Sequence, residues 1–499
     1  MAAIEALRNR AQLRDNGPTL ALGYPVTEAD PAPICRPEHR SLVMAAAVLA
    51  SSMGFIDGSV TSIALPAIRA TLGGSLAQAQ WVSGSYLLTL SSLILVGGAT
   101  SDRFGVARVF VGGIVAFVIS SALCAVAQSM DQMNIARAVQ GMGAAFMVPG
   151  SMTLIARAYP RAERGAALGL WAAAATATTA FGPVLGGLLL TMGGPEIWRA
   201  VFALNLPLGA GALWLLWRYT MADAGRPGTR IDWPGALLAT LALGLMAEGF
   251  TRVGQALPLL LGAVVTAALF LWREAVTPAP MIRLAMFRDT GFALTNLATL
   301  LLYIAITGVM FYLPMTALSV WGISAFQVAA AFLPVSVLIT VLSRHTGRLA
   351  DRVGPGPLMA VGSALVALGY AGIALNAPQG RFFAHIVPFM ALVGVGMALV
   401  VAPLTAAVMA YAKDSEQGAA SGINNAVARV AGLIAVALMG RVARWSYGPV
   451  TATLPGFGLP GSDAGHIAAS GLAFSHIAWG SAALALAAAV TSALIRRPR

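Results

Sequence analysis

Gly98-Ala99-Thr100-Ser101-Asp102-Arg103-Phe104-Gly105 and Gly347-Arg348-Leu349-Ala350-Asp351-Arg352-Val353-Gly354 share the spacing G-x-x-x-D-R-x-G. The two copies start 249 residues apart in a chain of 499, so the chain reads as two similar halves. Each copy joins two apolar runs and is therefore a short loop between helices. Its glycines permit a sharp turn and close helix approach. Asp102 lies close to the end of its helix, and Arg103 and Arg108 can pair with acids or helix carbonyl ends across the boundary between halves. Gly98, Asp102, Arg103, Gly105 and Arg108, with Gly347, Asp351, Arg352 and Gly354, are read as a conformational latch. The plain alternative is a basic loop that only sets topology.

The sequence around these loops is 58% hydrophobic and 10% charged, with mean hydropathy +0.78. A soluble domain carries roughly 25% charge, so a soluble enzyme, a disordered chain and a nucleic-acid binder are excluded. Cys35 and Cys124 are too few for a disulfide framework and too far apart for a metal-type pair. None of the histidines shows metal-ligand spacing. Apolar runs of spanning length, ~20 residues each, cover 42–66, 79–99, 108–128, 133–156, 166–191, 200–218, 233–251, 256–272, 291–315, 326–343, 357–375, 384–410, 419–440 and 472–494. These predict about fourteen transmembrane helices, since β-barrel spans are shorter and alternate.

The loops fix an orientation. Of 31 basic residues, 23 fall in the tails and loops of the face that carries both termini, 6 fall on the other face, and Arg137 and Arg429 lie within spans. That asymmetry puts both termini in the cytoplasm and accounts for the net charge of +12 without nucleic acid. Residues 1–41 read as a flexible basic tail with no signal-peptide core. The latch copies follow spans 2 and 10, an offset of eight where six-helix halves would give six. Two helices, most simply spans 7 and 8, are therefore inserted between parallel repeats. The expected organisation is a half at 42–218, an inserted pair with its loops at 219–288, a second half at 289–494 and a short tail at 495–499. Lys413 is the only lysine, a bias that suggests a GC-rich bacterial genome.

Several further motifs resemble the major facilitator superfamily, specifically its fourteen-span drug:proton antiporter branch, over most of residues 45–440. Asp57 through Pro66 look like the branch's span-1 motif, and Trp81 and Tyr86 fit the start of its span 2. Arg137-Ala138-Val139-Gln140-Gly141-Met142-Gly143 matches a span-4 motif proposed to assist proton transfer. Gly182-Pro183-Val184-Leu185-Gly186-Gly187 matches the span-5 motif associated with exporters. Trp198, Arg199, Phe202, Asn205, Pro207 and Gly209 resemble the span-6 pattern, and Gly418 through Gly422, Asn424, Asn425 and Arg429 that of span 13. The first latch loop departs from the family in having Val106 and Ala107 where basic residues are usual.

Chemistry inside the bilayer falls to few residues. Among the acids only Asp57 and Glu248 lie within spans, where a charge costs at least ~2.5–3.5 kcal/mol. Asp57 is nine residues from the outer end of its span and Arg137 four from the outer end of its own, ~13 and ~6 Å deep. The resemblance places spans 1 and 4 on a central cavity, so Asp57 and Arg137 are expected to communicate and couple transport to protons. A permanent structural ion pair is the alternative. Glu248, four residues before Arg252, is also explained as an i,i+4 helix pair. Arg429, ~16 Å deep, fits three roles: pairing with an acid, binding an anionic group or capping helix carbonyls. Gly182, Gly186 and Gly187 allow close packing, and Pro183 allows a bend.

Met53, Phe55, Trp81, Tyr86, Phe181, Asn205, Tyr303, Phe311, Tyr312, Asn424, Asn425 and Arg429 are candidate cavity residues; the aromatic ones suit flat lipophilic cations, and ordinary packing is their alternative. The fold expected is all-helical, two six-helix halves plus two inserted helices, in a bacterial plasma membrane. The resemblance implies proton-coupled efflux of small lipophilic compounds by a monomer, with no cofactor beyond the proton gradient. Export of one metabolite or antibiotic, and proton-coupled import, are the rivals. No catalytic cluster marks an enzyme.

Overall fold

A computed structural model describes residues 33–496 except 195, 222, 224, 226–227, 229, 253, 414–415 and 449–455, and the side chain of 344. Among the described residues, fourteen helices are long and apolar enough to cross a membrane, and there are no strands. They are α1 (Arg40–Leu72), α2 (Leu76–Phe104), α3 (Val106–Val126), α4 (Met130–Ala158), α5 (Arg161–Met192), α6 (Trp198–Tyr219), α7 (Trp233–Thr251) and α8 (Ala256–Val276). The remainder are α9 (Thr290–Val320), α10 (segments Ala325–Ala331 and Leu333–Val353), α11 (Pro355–Asn376), α12 (Val387–Ala410), α13 (Gln417–Tyr447) and α14 (Ala464–Ala493).

Helices run past the apolar runs wherever a cap or polar turn extends them. The largest shift of a helix start is in α14, which begins at Ala464 because Asp463 accepts hydrogen bonds from the Gly465 and His466 amides; the run 472–494 misses that small, polar first turn. Ser75 and Gln78 form a reciprocal capping box at the start of α2, as do Ser324 and Gln327 at α10.

The halves repeat each other in packing. In the first, α2 and α3 pack on α4 and α1 packs on α5 and α6; in the second, α10 and α11 pack on α12 and α9 packs on α13 and α14. One close glycine crossing recurs as well. A Cβ at Gly113 would stand 2.9 Å from the Gly143 carbonyl oxygen, and one at Gly362 would stand 2.6 Å from that of Gly396. Only glycine allows backbones this close. In the latch loops Gly105 and Gly354 take φ of +98° and +89°, so both copies turn the same way.

The inserted α7 and α8 pack on each other, and α7 lies against α2 and α13. In α8 only 6% of its most apolar window is buried, which makes it the outermost helix of the bundle. The segment 219–288 does not belong wholly to this pair. Asp223 is buried at the first latch loop, where its carboxylate accepts the Val106 amide at 2.5 Å and pairs with Arg157 at 2.8 Å. It thus caps α3, and a side chain supplies the contact at a loop lacking the usual basic run.

The terminal segments are also corrected. Residues 1–32 and 497–499 lie outside the described residues. Ile34 and Cys35 are buried in the first half's core, and the Ile34 carbonyl accepts the Met221 amide at 2.8 Å. This apolar pair in a polar stretch packs beside α1 and α6 while its neighbours Arg36, Pro37 and Glu38 stay exposed. Ile495 is likewise buried, against the turn that holds Gly356.

Candidate functional site

The first half encloses a polar cluster in an otherwise apolar interior. Asp57 of α1 and Arg137 of α4 are each about 1% exposed. Arg137 Nη1 donates to Asp57 Oδ2 at 2.5 Å and to Gln140 Oε1 at 2.5 Å. Arg137 Nε donates to the Val82 carbonyl at 2.9 Å. Gln140 lies one turn after Arg137 on α4; its Nε2 donates to Asp57 Oδ1 at 3.1 Å and to Ser121 Oγ at 2.8 Å. Both carboxylate oxygens of Asp57 are therefore occupied. Asn205 donates to Ser121 at 3.3 Å, and Cys124 lies 3.9 Å from Gln140. The Arg137 guanidinium sits 4.4 Å from the Tyr86 ring centroid and 5.7 Å from that of Phe202, two cation–π contacts in a desolvated setting. A buried ion pair is tolerable only when its remaining polar atoms are satisfied, which Gln140 and the Val82 carbonyl achieve.

One stripe of α5 shows where the bundle opens. Ala172, Thr176, Thr179, Pro183 and Gly187 recur at helical spacing. Pro183 and Gly187 are buried, Thr176 is half-buried, and Ala172 and Thr179 are exposed. Beside them Gly58 of α1, one residue after Asp57, is exposed with nothing near its Cβ direction. The stripe is thus covered toward one face and open toward the face that bears the latch loops.

The covered face is sealed by contacts between halves. Gln80 Nε2 donates to the Tyr312 hydroxyl at 2.6 Å, which donates to the Val436 carbonyl at 2.7 Å. The Phe326 amide donates to Thr191 Oγ1 at 3.1 Å. Arg69 donates to the Phe457 carbonyl. A Cβ at Gly187 would stand 2.6 Å from the Ala325 carbonyl oxygen, and one at Gly186 would strike Val60. Gly182, Pro183, Gly186 and Gly187 thus lie where α5 meets α1 and α10.

Other sequence candidates land elsewhere. Met53 is buried against Gly209 within the first half, and Phe311 is core, its ring 4.8 Å from that of Tyr312. Phe181 is 59% exposed on the stripe of Leu170, Leu185 and Met192, turned away from the α1 and α10 contacts and toward lipid. Trp81 lies where α2 meets α7 and α13 rather than at the opening: its Nε1 donates to Glu248 Oε2 at 2.8 Å, tying α7 to α2. Glu248 also pairs with Arg252, so the i,i+4 reading accounts for only part of its contacts. Asn205 belongs to the Asp57 cluster. Asn424 bonds Asn296 and Thr299 within the second half, whereas Asn425 is exposed. Phe55 stacks at 6.3 Å on Trp171, beside the opening. In the latch, Asp102, Arg103, Arg108, Asp351 and Arg352 are exposed and Gly98 has open space beside it. Gln140, Ser121 and Asp223 received no role from the sequence. Only Gln140 had a usable signal, a second polar residue three positions after Arg137 in an apolar helix.

A family profile described as Major Facilitator Superfamily matches residues 43–436. The chain belongs to the major facilitator superfamily. Among this superfamily's curated members, the chain is 31% identical over 414 residues to a multidrug resistance protein of Mycobacterium tuberculosis, covering 81% of this chain and 76% of that one. It is 32% identical over 478 residues to a cephamycin export protein of Amycolatopsis lactamdurans, covering 92% and 95%. A methylenomycin A resistance protein of Bacillus subtilis is 30% identical over 399 residues, covering 78% and 84%. The fold matches the solved structure of a bacterial homologue of the lysosomal transporter Spinster, with TM-score 0.67 and 16% identity over 92% of this chain and 98% of that one. A D-xylose-proton symporter matches with TM-score 0.64 and 16% identity over the same shares. The protein is thus a membrane-embedded transporter of the superfamily.

Proposed function

We propose that the chain expels small lipophilic compounds from the cytoplasm in exchange for protons, by alternating access. The observation that carries this reading is the Asp57–Arg137–Gln140 cluster, a carboxylate held beside the exposed Gly58 at the inner end of the opening. The excess of basic residues makes the face of the latch loops cytoplasmic, so the arrangement described is open to the inside and sealed to the outside. In it, Asp57 is the ionised partner of Arg137. Rocking the halves parts the outer seal and exposes the cluster to the outside, where Asp57 takes a proton. The return swing restores the ion pair and releases the proton inward, driven in part by a membrane potential worth about 2.3 kcal/mol per charge per 100 mV. One chain contains all the named parts, and the proton gradient supplies the energy without a cofactor.

The resistance and export functions named for the relatives favour efflux over import. The antibiotic-specific names among them favour, as a second reading, export of one compound on the same scaffold. The test uses cells lacking their own pumps, exposed to a panel of toxic compounds with and without an uncoupler. The wild type raises tolerance only while the gradient stands. Asp57→Asn reaches the membrane in equal amount and raises it no more than empty vector. Full protection by Asp57→Asn removes this residue from the coupling step.

A further inference from the structure

Arg429 is the intramembrane charge that the Asp57 cluster leaves unused. It lies on the stripe of α13 turned toward α2, with Ala426, Leu433, Val436 and Gly440 at helical spacing. Ala426 packs in the first half's core, Leu433 packs with Leu87 and Trp81, and Gln80 reaches Val436 and lies where a Cβ on Gly440 would project. Arg429 therefore points across the boundary between the halves. Tyr303 of α9 stands between Thr299, which accepts from Asn424, and Thr307, which lies 3.8 Å from where a Cβ on Gly432 would project, so it is level with Arg429 on α13; Tyr86 of the first half is also within electrostatic reach. Among the described residues Arg429 makes no ion pair or hydrogen bond, and neither phenol hydroxyl has a partner. Arg429 and Tyr303 are half-buried and Tyr86 is buried. Asp57 lies beyond Tyr86, with both its oxygens engaged by Arg137 and Gln140. A guanidinium and two hydroxyls contributed by both halves thus come together at the boundary between them, with no acid paired to the guanidinium among the described residues.

We propose that Arg429, Tyr86 and Tyr303 bind the acidic group of the substrate, so the compounds carried are amphiphilic organic anions such as aromatic carboxylates. A guanidinium in apolar surroundings is costly without a counter-ion. A carboxylate takes two parallel bonds from it and accepts from the phenols, and an aromatic body stacks on the tyrosine rings. The excess positive charge rejects the lipophilic cations that the aromatic residues alone would suit. Because the donors come from both halves, the anion is held best when they are close and is released when they part. This deepens the efflux reading and names its substrate class.

The test is equilibrium binding to the purified protein in nanodiscs with no gradient, so it does not depend on proton coupling. The probes are pyrenebutyrate, its methyl ester and pyrenebutyl-trimethylammonium, which share one apolar body. The wild type binds the carboxylate about tenfold or more tighter than the ester and the cation, the ratio expected of one charge-assisted bidentate contact. Arg429→Gln abolishes that preference and leaves ester binding unchanged, which also shows that the site is intact. Arg429→Lys keeps part of it, and Tyr303→Phe weakens the carboxylate alone. Asp57→Asn keeps the preference while losing gradient-driven export. Equal binding of the three probes by the wild type, no binding of the carboxylate, or an unchanged preference in Arg429→Gln overturns the proposal. Failure of Asp57→Asn to affect export would instead overturn the coupling reading and leave this one standing.

Discussion

At the scale of single residues, Gln140 decides whether the buried ion pair is tolerable. Its amide serves Asp57 Oδ1 and Ser121 while its carbonyl serves Arg137. Replacing it with Leu keeps the bulk and removes all three contacts. The loss leaves a buried carboxylate oxygen and a buried guanidinium nitrogen short of partners, costing about 1–3 kcal/mol. Gln140→Leu should lower the thermal midpoint in detergent and shift the pH profile of export, whereas a merely space-filling Gln140 would leave both unmoved. Asp57 and Arg137 were legible in the sequence because a charge interrupts an apolar run and has no cheap explanation. Gln140 carries no charge and stood inside a motif, so only the geometry separates it from its neighbours. Asp223 was illegible for the opposite reason: an acid in a polar loop looks solvated, and only the tertiary fold brings it to the Val106 amide.

Among the elements, α5 carries the conformational difference between the two faces. Its glycines were read as a small face from spacing alone, and they do lie at close helix contacts. Which neighbour each one meets could not be read, because that depends on whether the halves are tilted together or apart. Gly187 meets the Ala325 backbone at the sealed face, while Gly98 in the latch meets nothing. A Val at 187 would overpack only the arrangement in which that face is closed, at about 1–3 kcal/mol. The population of this arrangement should fall roughly five- to 150-fold. Gly187→Val should therefore reach the membrane yet export slowly, with Gln80→Cys on the outer seal labelled by an impermeant maleimide far faster than in the background carrying Gly187. Equal labelling in the two backgrounds would mean that α5 does not set the closure. The inserted helices were read by counting spans between the latch copies, and α7 and α8 pack on each other. The tie between Trp81 and Glu248 was not legible, since it joins residues 167 positions apart and each has a sufficient local explanation.

For the whole molecule, alternating access requires the seal at Gln80–Tyr312, Thr191–Phe326 and Gly187–Ala325 to break once per cycle, because no compound can leave outward through it. The fold was legible as parallel repeats with an insertion because the latch spacing survives in both copies. The state of the cycle was not, because the spans and loops read from the sequence are the same whichever face is closed. Thr191 and Phe326 belong to opposite halves, and the Phe326 amide reaches Thr191 Oγ1 at 3.1 Å. Cysteines at these two positions can be joined by a short bifunctional maleimide. The native Cys35 and Cys124 are both buried, so the background is low. Joining the pair should stop export in proportion to the fraction of chains linked. Either single cysteine treated in the same way should export normally. The linked protein should still bind pyrenebutyrate added from the cytoplasmic side, since the opening at Gly58 and Thr179 is not obstructed. Export that continues at full rate with every chain linked would mean that this seal never opens, and that the two halves do not move about it as rigid bodies.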